Sequence, residues 1–333
     1  MKAMIISGFG AADEVFEQAE VERPELAPGK VLVRVSASSV NPVDYKIRSG
    51  LLEAIAPDVP RILGFDMAGT VEAVADDVSG FAPGDEVFGC TGGMKGNPGS
   101  LAEYQVADPA LIAHKPSNLT LEDAAAVPLV AITCWDALVR GADVQPGEKV
   151  LVHGGCGGVG HIGVQIAKAL GAEVFATVSS EPKAEIVRSY GATPINYREQ
   201  EVADYVAEHT NGAGFDVVYD TVGGENLARC FEAATLEGRV ASVNTRTTCD
   251  LSPLHQKALS LHVVFMLIPI YYNRPEGRRR HGEILRRIVS HIESGAIKPL
   301  IDERRFDFAD IAAAHQLLEA GGATGKIVLR GFA

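Results

Sequence analysis

With 333 residues, the chain exceeds the usual size of one hydrophobic core, so two domains are expected. Hydrophobic residues at 47% and charged residues at 22% are ordinary globular composition, and a formal charge of −13 argues against a general nucleic-acid binder, whose phosphate partner needs a positive surface. Five scattered cysteines without a C-x-x-C pair, no long apolar stretch at the N-terminus and a most apolar window (258–272) too short for a bilayer point to a soluble, cytoplasmic protein with free thiols.

Short strands and turns come first. "KVLVRVSASSV" (30–40) and "GTVEAVADDV" (69–78) alternate in the β manner, and "FAPGDEVFG" (81–89) places a Pro-Gly turn before another strand. This spacing predicts a small β-barrel or sandwich. Near residue 120 the texture changes: Thr120 with Asp123 three positions on is a helix-start signature, and the alanine-rich body predicts a helix running to Leu138.

From Lys149 the pattern is strand, helix, strand, repeated. "KVLVH", "EVFATV", "TPINY", "FDVVYD" (215–220) and "RVASV" (239–243) are strands, separated by the amphipathic stretches "VGHIGVQIAKAL", "KAEIVRSY", "EVADYVAEH" and "NLARCFEAA". Apolar runs alternating with such helices predict an α/β fold with a doubly wound parallel sheet. "SLHVVFMLIPI" (260–270) is read as the last strand of that sheet and its exit. The basic cluster Arg274 to Arg280 is read as a solvated Pro/Gly loop, followed by helices from about residue 276. The closing strand "GKIVLR" is expected to return to the first domain. The expected division is 1–124 with 277–333 against 125–276.

One segment, "VLVHGGCGGVGHIGVQ" (150–165), admits two readings. His153, Cys156 and His161 could be metal ligands, but they fall at a strand end, in a loop and in a first helical turn, pointing different ways. Gly155, Gly157 and Gly160 have G-x-G-x-x-G spacing between a buried-type strand and a helix, the context of a dinucleotide fingerprint. The helix N-terminus then offers unpaired N–H groups to the pyrophosphate, with Gly158 and Val159 in the same turn. The phosphate reading is adopted. An NAD-selective site would carry an acidic residue at the end of the next strand. Ser179 and Ser180 stand there, with Lys183 just beyond, which suits the 2′-phosphate of NADP; Glu181 is the opposing feature.

With these motifs, the sequence resembles the medium-chain dehydrogenase/reductase superfamily, and within it the zinc-independent quinone oxidoreductases (zeta-crystallin-like). The resemblance covers essentially the whole chain and rests on "SVNPVDYKIRSG", "LGFDMAGTV", "FAPGDEVFG", "HGGCGGVGHIGVQIAKALGAEVFATV", "FDVVYDTVGG" and "ATGKIVL". It implies a GroES-like β-barrel catalytic domain beside a Rossmann domain. Zinc alcohol dehydrogenases of the superfamily need a Cys where this chain reads "NPVD", a His-Glu pair where it reads Gly64-Phe65-Asp66, and another Cys near "AVPLVA". None is present, nor is the four-cysteine structural lobe.

The resemblance implies metal-free hydride transfer from NADPH to a quinone or an α,β-unsaturated ketone or aldehyde. Asn41 matches the family asparagine bordering the nicotinamide. Lys46 falls where quinone oxidoreductases often carry Tyr and enone reductases carry Lys, which tilts the expectation to enone reduction with Lys46 as donor to the carbonyl; Tyr45 is the adjacent candidate. By position, Thr133 matches the residue bonding the nicotinamide ribose or amide, Tyr197 a tyrosine near the 2′-phosphate, and Asn244 the loop touching the nicotinamide. Lys326 lies near the cofactor in relatives, and Arg246 is a candidate for the acceptor pocket. Gly322 departs from relatives, which often carry a basic residue there for the 2′-phosphate. A long apolar edge strand suggests a homodimer with a continuous sheet. Two alternatives stay open: an NADP-binding redox sensor or structural protein with vestigial activity, and a zinc dehydrogenase with atypical ligands such as Cys90, Asp66 and His114.

Overall fold

The computed structural model describes residues 1–332. The chain divides into two compact units. The first comprises Met1–Leu129, Leu267–Gly295 and the stretch from Pro299 onward; the second comprises Val130–Met266 with Ala296–Lys298.

The first unit is built on a seven-stranded, mainly antiparallel sheet. Its path runs Phe306–Asp307, Ile327–Arg330, Val31–Val40, Asp66–Val74, Glu86–Cys90 and Ile112–His114. The long strand Val31–Val40 serves two partners on one edge: its first half pairs with Tyr104–Ala107 and its second half with Ile327–Arg330. A separate hairpin, Lys2–Ile6 with Phe16–Glu20, precedes them. Apolar residues of these strands point inward, so that Val31, Val33, Val35, Met67, Val87 and Phe88 are buried. The short helix Pro42–Arg48 leaves the end of Val31–Val40, with proline in its first turn, where no N–H is missed.

The second unit is a six-stranded parallel sheet in the order Thr193–Asn196, Glu173–Val178, Lys149–Val152, Phe215–Asp220, Ala234–Ser242, Ser260–Val263. Helices Gly160–Ala169, Glu181–Ser189, Val202–Thr210 and Asn226–Ala233 alternate with the strands. One side of the core gathers Phe175, Tyr205, Phe215, Val218 and Phe231. The strand order reverses between Lys149–Val152 and Phe215–Asp220. Beyond the carboxyl ends of strands at such a reversal, a doubly wound sheet leaves a crevice for a ligand.

Two expectations are corrected. The helix from Thr120 is not continuous: Thr120 Oγ1 does accept Asp123 N–H at 3.0 Å, but the first helix ends at Ala125, a second starts at Pro128, and the last turn, Asp136–Gly141, is π-helical. Pro128 lacks the N–H that would carry the first helix through. The Arg274–Arg280 cluster is not a loop. Pro275 opens the helix Pro275–Glu293, and Arg278 is buried against Asp108 at 2.8 Å while donating to the carbonyls of Pro269 and Ile270. Those bonds, with Gly277 set against the Pro269 ring, draw residues from Leu267 into the first unit. Conversely, Gln165 exchanges two hydrogen bonds with the Lys298 backbone and places 296–298 in the second. The compact units therefore divide the chain after Leu129 and after Met266.

Candidate active site

In the second unit the glycine loop leaves strand Lys149–Val152 and enters helix Gly160–Ala169. Side chains are excluded there by backbone: a Cβ on Gly160 would lie 2.0 Å from Gly154 O, and one on Gly155 would lie 2.7 Å from the Ala176 side chain. These two glycines let helix and strands close on the turn. Gly157 meets only Gly154 O, at 3.2 Å, with Gly158 and Val159 following it into the helix. The helix start at Val159 carries no side-chain cap; His161 N–H is bonded to Gly157 O and Gly163 N–H to Val159 O, and the partial positive charge of the helix start faces the turn, where it favours an anionic group. The loop thus fits the pyrophosphate of a dinucleotide.

The three possible ligands of this segment do not converge. His161 is buried, with Nδ1 3.0 Å from Gly157 O, and Cys156 Sγ donates to Lys183 O at 3.2 Å, its thiol pushed up to about 11 by burial. His153 is 4% exposed, its Nε2 has no hydrogen-bond partner, and burial holds its pKa down to about 4, so the ring is neutral. The atypical zinc set also fails. Asp66 and Cys90 face each other in strand register, but His114 lies opposite Val87, is largely exposed, and stacks on Phe81 while reaching Gly80 O. Among the described residues, no group of three His, Cys, Asp or Glu side chains could hold a metal ion.

At the end of strand Glu173–Val178, Ser179 and Ser180 are half-buried. Ser180 occupies the N-cap of Glu181–Ser189 without using its side chain there. The opposing carboxylate, Glu181, is turned to Arg188 at 2.6 Å, which also binds Glu185 at 2.5 Å. Lys183 sits in the first turn of that helix, half-buried.

Beside the glycine loop lies a cavity of about 710 Å³ lined by His153, Thr177, Tyr197, Glu201, Asn226 and Arg229, among others. Its wall is held by Asp220, a fully buried carboxylate whose Oδ1 accepts Val222 N, Gly223 N and Asn226 Nδ2 and whose Oδ2 accepts Ser242 Oγ at 2.7 Å. Asn244 continues this loop, donating to Val222 O at 3.4 Å. Thr133 is buried in helix Pro128–Trp135, and Arg246 is exposed in the loop after Asn244.

In the first unit a second polar cluster surrounds the start of helix Pro42–Arg48. Asp66 Oδ2 accepts Ser39 Oγ at 2.7 Å and Asn41 Nδ2 at 2.8 Å, and its Oδ1 accepts Leu129 N at 2.7 Å. Lys326 Nζ donates to Val40 O, Asn41 Oδ1 and Asp66 Oδ2, so its three protons have three acceptors within the chain. Asp44 accepts Asn41 N at 2.8 Å and Gly64 N at 3.2 Å; burial, assisted by the Asp66 charge, pushes its pKa up to about 7. Asn41 and Lys326, read from sequence as site residues, are thus 1% and 3% exposed and committed to each other. Tyr45 and Lys46, on the same helix, are half-buried, and burial raises the Tyr45 hydroxyl pKa. A groove of about 720 Å³ opens next to that helix, lined by Phe9, Leu51, Val59, Arg61 and Lys95 among others.

Sequence reasoning missed Asp44, Asp220 and Arg229, and raised Asp66 only as an atypical zinc ligand. Asp44 alone left a signal, as the acidic residue three positions after the Asn41-Pro42 helix start.

Comparison with known proteins gives two family matches: an alcohol dehydrogenase GroES-like domain over residues 27–117 and a zinc-binding dehydrogenase over residues 190–329. The zinc named by the second does not fit the donor set described above. Among similar proteins, a 2-methylene-furan-3-one reductase of Solanum lycopersicum is 34% identical, over 99% of this chain and 79% of that protein. The crystal structure of an alcohol dehydrogenase superfamily protein from Novosphingobium aromaticivorans is 42% identical with a TM-score of 0.92, covering 98% of this chain and 99% of that one. Quinone oxidoreductase of Escherichia coli, complexed with NADPH, is 28% identical with a TM-score of 0.85, over 99% of this chain and 100% of that one.

Proposed function

The chain belongs to the medium-chain dehydrogenase/reductase superfamily, as an oxidoreductase with quinone oxidoreductases among its relatives, and from that premise we propose that it is an NADPH-dependent, metal-free reductase of quinones or α,β-unsaturated ketones and aldehydes. The observation that carries the reading is the uncapped glycine turn followed by a ribose position without a free acid: Ser179 and Ser180 stand there, and Glu181 is held by Arg188. Hydroxyls with Lys183 nearby suit a phosphorylated ribose, where an unpaired carboxylate would repel it.

NADPH held at the glycine turn would supply a hydride to the electrophilic carbon or quinone oxygen of the acceptor. The chain's own part is to place a donor where negative charge would develop on the acceptor oxygen, with a proton from that donor or from water completing the product. Lys46 is the group assigned to stabilise that oxygen, with Tyr45 beside it. Asn41 acts here by holding the start of their helix, because both ends of its amide are bonded to Lys326 and Asp66. Thr133, Tyr197 and Asn244 are assigned to the cofactor. Lys326 is assigned to the buried cluster next to it, since its ammonium is fully engaged.

The protein works as a cytoplasmic homodimer joined through the sheet edge. Ser260–Val263 is the terminal strand, with Val263 exposed in it and Phe265 exposed just after it. Among the described residues, no helix is long and apolar enough to cross a membrane. The functional domains follow the two compact units.

The test is NADPH oxidation by chelator-treated protein offered quinones and α,β-unsaturated carbonyls in parallel. Turnover that survives chelation is expected, with loss on Lys46→Met. Tight NADPH binding without turnover on any acceptor, or activity restored only by zinc, would overturn the reading.

A further inference from the structure

Helix Pro42–Arg48, which carries Tyr45 and Lys46, is seven residues long. Isolated helices shorter than about 12 residues are marginal in water, so this one takes its orientation from whatever fastens its ends. The N-terminal end is held by the cluster of Asn41, Asp44, Asp66 and Lys326. The other end is held by Arg48, a guanidinium 3% exposed that the assignment above leaves unused. Arg48 Nη1 donates to Gly10 O at 2.5 Å, and Gly10 N–H donates back to Arg48 O at 3.1 Å. Arg48 Nη2 donates to Glu319 Oε2, a carboxylate 271 positions further along the chain.

Glu319 closes helix Ile311–Glu319. One turn before it, His315 is 1% exposed and packs edge-on to Phe16, with ring centroids 4.9 Å apart. Burial, and then the Arg48 charge, hold the His315 pKa down to about 3, so its ring is neutral and the Glu319 carboxylate balances Arg48. Without that carboxylate the guanidinium would keep one carbonyl and a buried Nε that has no partner. An uncompensated charge in the interior is costly, and the end of a short helix would shift to bring it to water. Residues 45 to 48 would move together, because Tyr45 O accepts Ser49 N–H and Lys46 O accepts Leu52 N–H. Successive side chains stand about 100° apart around a helix, so a small rotation at Arg48 swings Lys46 as well.

We propose that the Arg48–Glu319 ion pair is a positioning device for the acceptor: it fixes the rotation of helix Pro42–Arg48 from its C-terminal end and so sets where Lys46 meets the acceptor oxygen. The proposal rests on the reading above that Lys46 stabilises that oxygen. Arg48 and Glu319 are positioning residues, and neither is assigned a contact with cofactor or acceptor. The C-terminal helix thereby takes part in the reaction's geometry through a single carboxylate.

The experiment is a double-mutant cycle on single-turnover NADPH oxidation, which keeps slow variants measurable. Glu319→Ala and Glu319→Gln are each made in the wild type and in Lys46→Met. The acceptor is whichever of 1,4-benzoquinone, 2-cyclohexenone and trans-2-hexenal the wild type reduces fastest, and melting temperature and NADPH affinity are recorded for every variant. Misplacing a reacting group by about 1 Å can cost on the order of a hundredfold, so Glu319→Ala should slow the wild type by roughly tenfold to a hundredfold with NADPH affinity unchanged. Glu319→Gln, whose amide oxygen still accepts from Arg48, should recover most of that rate and carries the test if the alanine variant does not fold. In the Lys46→Met background the same substitutions should change the rate by less than about twofold, because the residue they act through is gone. Equal losses in both backgrounds would make the pair merely structural and overturn the proposal, as would an undiminished rate in Glu319→Ala. Lys46→Met at full rate would overturn the Lys46 assignment and the proposal with it. Wild type that oxidises NADPH with none of the three acceptors would overturn the reductase reading itself.

Discussion

The two polar constellations of this molecule are built on opposite plans. In the second unit, the glycine turn is open: its helix start is uncapped, Ser180 leaves its hydroxyl unused at an N-cap, and His153 keeps a nitrogen without a partner. In the first unit, the cluster of Asn41, Asp44, Asp66 and Lys326 is closed, each of its members bonded to another or to backbone. Open valences mark where something binds. Closed ones mark where the chain holds its own helix in place. The difference teaches that burial and charge alone do not identify a ligand site, because the closed cluster is the more buried and the more heavily charged of the two.

The largest expected effect breaks the closed cluster. Lys326→Met removes the cation paired with Asp66 and should destabilise the protein by about 3–5 kcal/mol in urea denaturation, as an unpaired buried charge does. A loss of NADPH affinity with stability intact would instead make Lys326 part of the open site. Next, Gly160→Ala places a methyl 2.0 Å from Gly154 O and should cost about 1–3 kcal/mol, measured as lowered stability together with weakened NADPH binding.

Asp44 sharpens the comparison through pH. Its folded pKa, about 7, stands above the unfolded value of 3.8, so the folded state holds the proton more tightly. The stability this contributes is complete below about pH 4 and lost as pH rises through about 7. Denaturation of the wild type should show that decline, whereas Asp44→Asn should be flat over the same interval. Parallel curves for the two proteins would remove Asp44 as the cause. The smallest effect belongs to the open site: Arg188→Ala frees Glu181 and should weaken NADPH binding by about twofold with NADH unchanged, a difference read by competitive titration.

What was legible in the sequence follows the same division. The glycine turn is contiguous, so spacing, preceding strand and following helix are all visible within twenty residues, and the parallel sheet declares itself through repeated apolar runs. The closed cluster joins Asn41 to Asp66 and to Lys326, across separations of 25 and 285 residues, and no local pattern records such pairings. Asn41 and Lys326 could therefore be singled out by resemblance, but not their commitment to each other. The Arg274–Arg280 stretch misled because proline and glycine suggest a loop. In the fold the proline opens a helix and the glycine lets that helix seat against Pro269, so tertiary packing decided what composition left ambiguous. Arg229 carried no signal, being one cation on an amphipathic helix.

The strand Ile327–Arg330 pairs with residues 37–40 of the long strand near the N-terminus. During synthesis, the first unit's sheet must therefore wait with a vacant edge while the entire parallel sheet emerges, folds and leaves the ribosome. At about 5–20 residues per second, the interval from residue 107 to residue 330 is roughly 10–45 seconds. The second unit is contiguous but for three residues and can complete its core within that time. The barrel-forming segment, though made first, is expected to finish last, and its exposed edge between those moments is where chaperone contact with the nascent chain should concentrate.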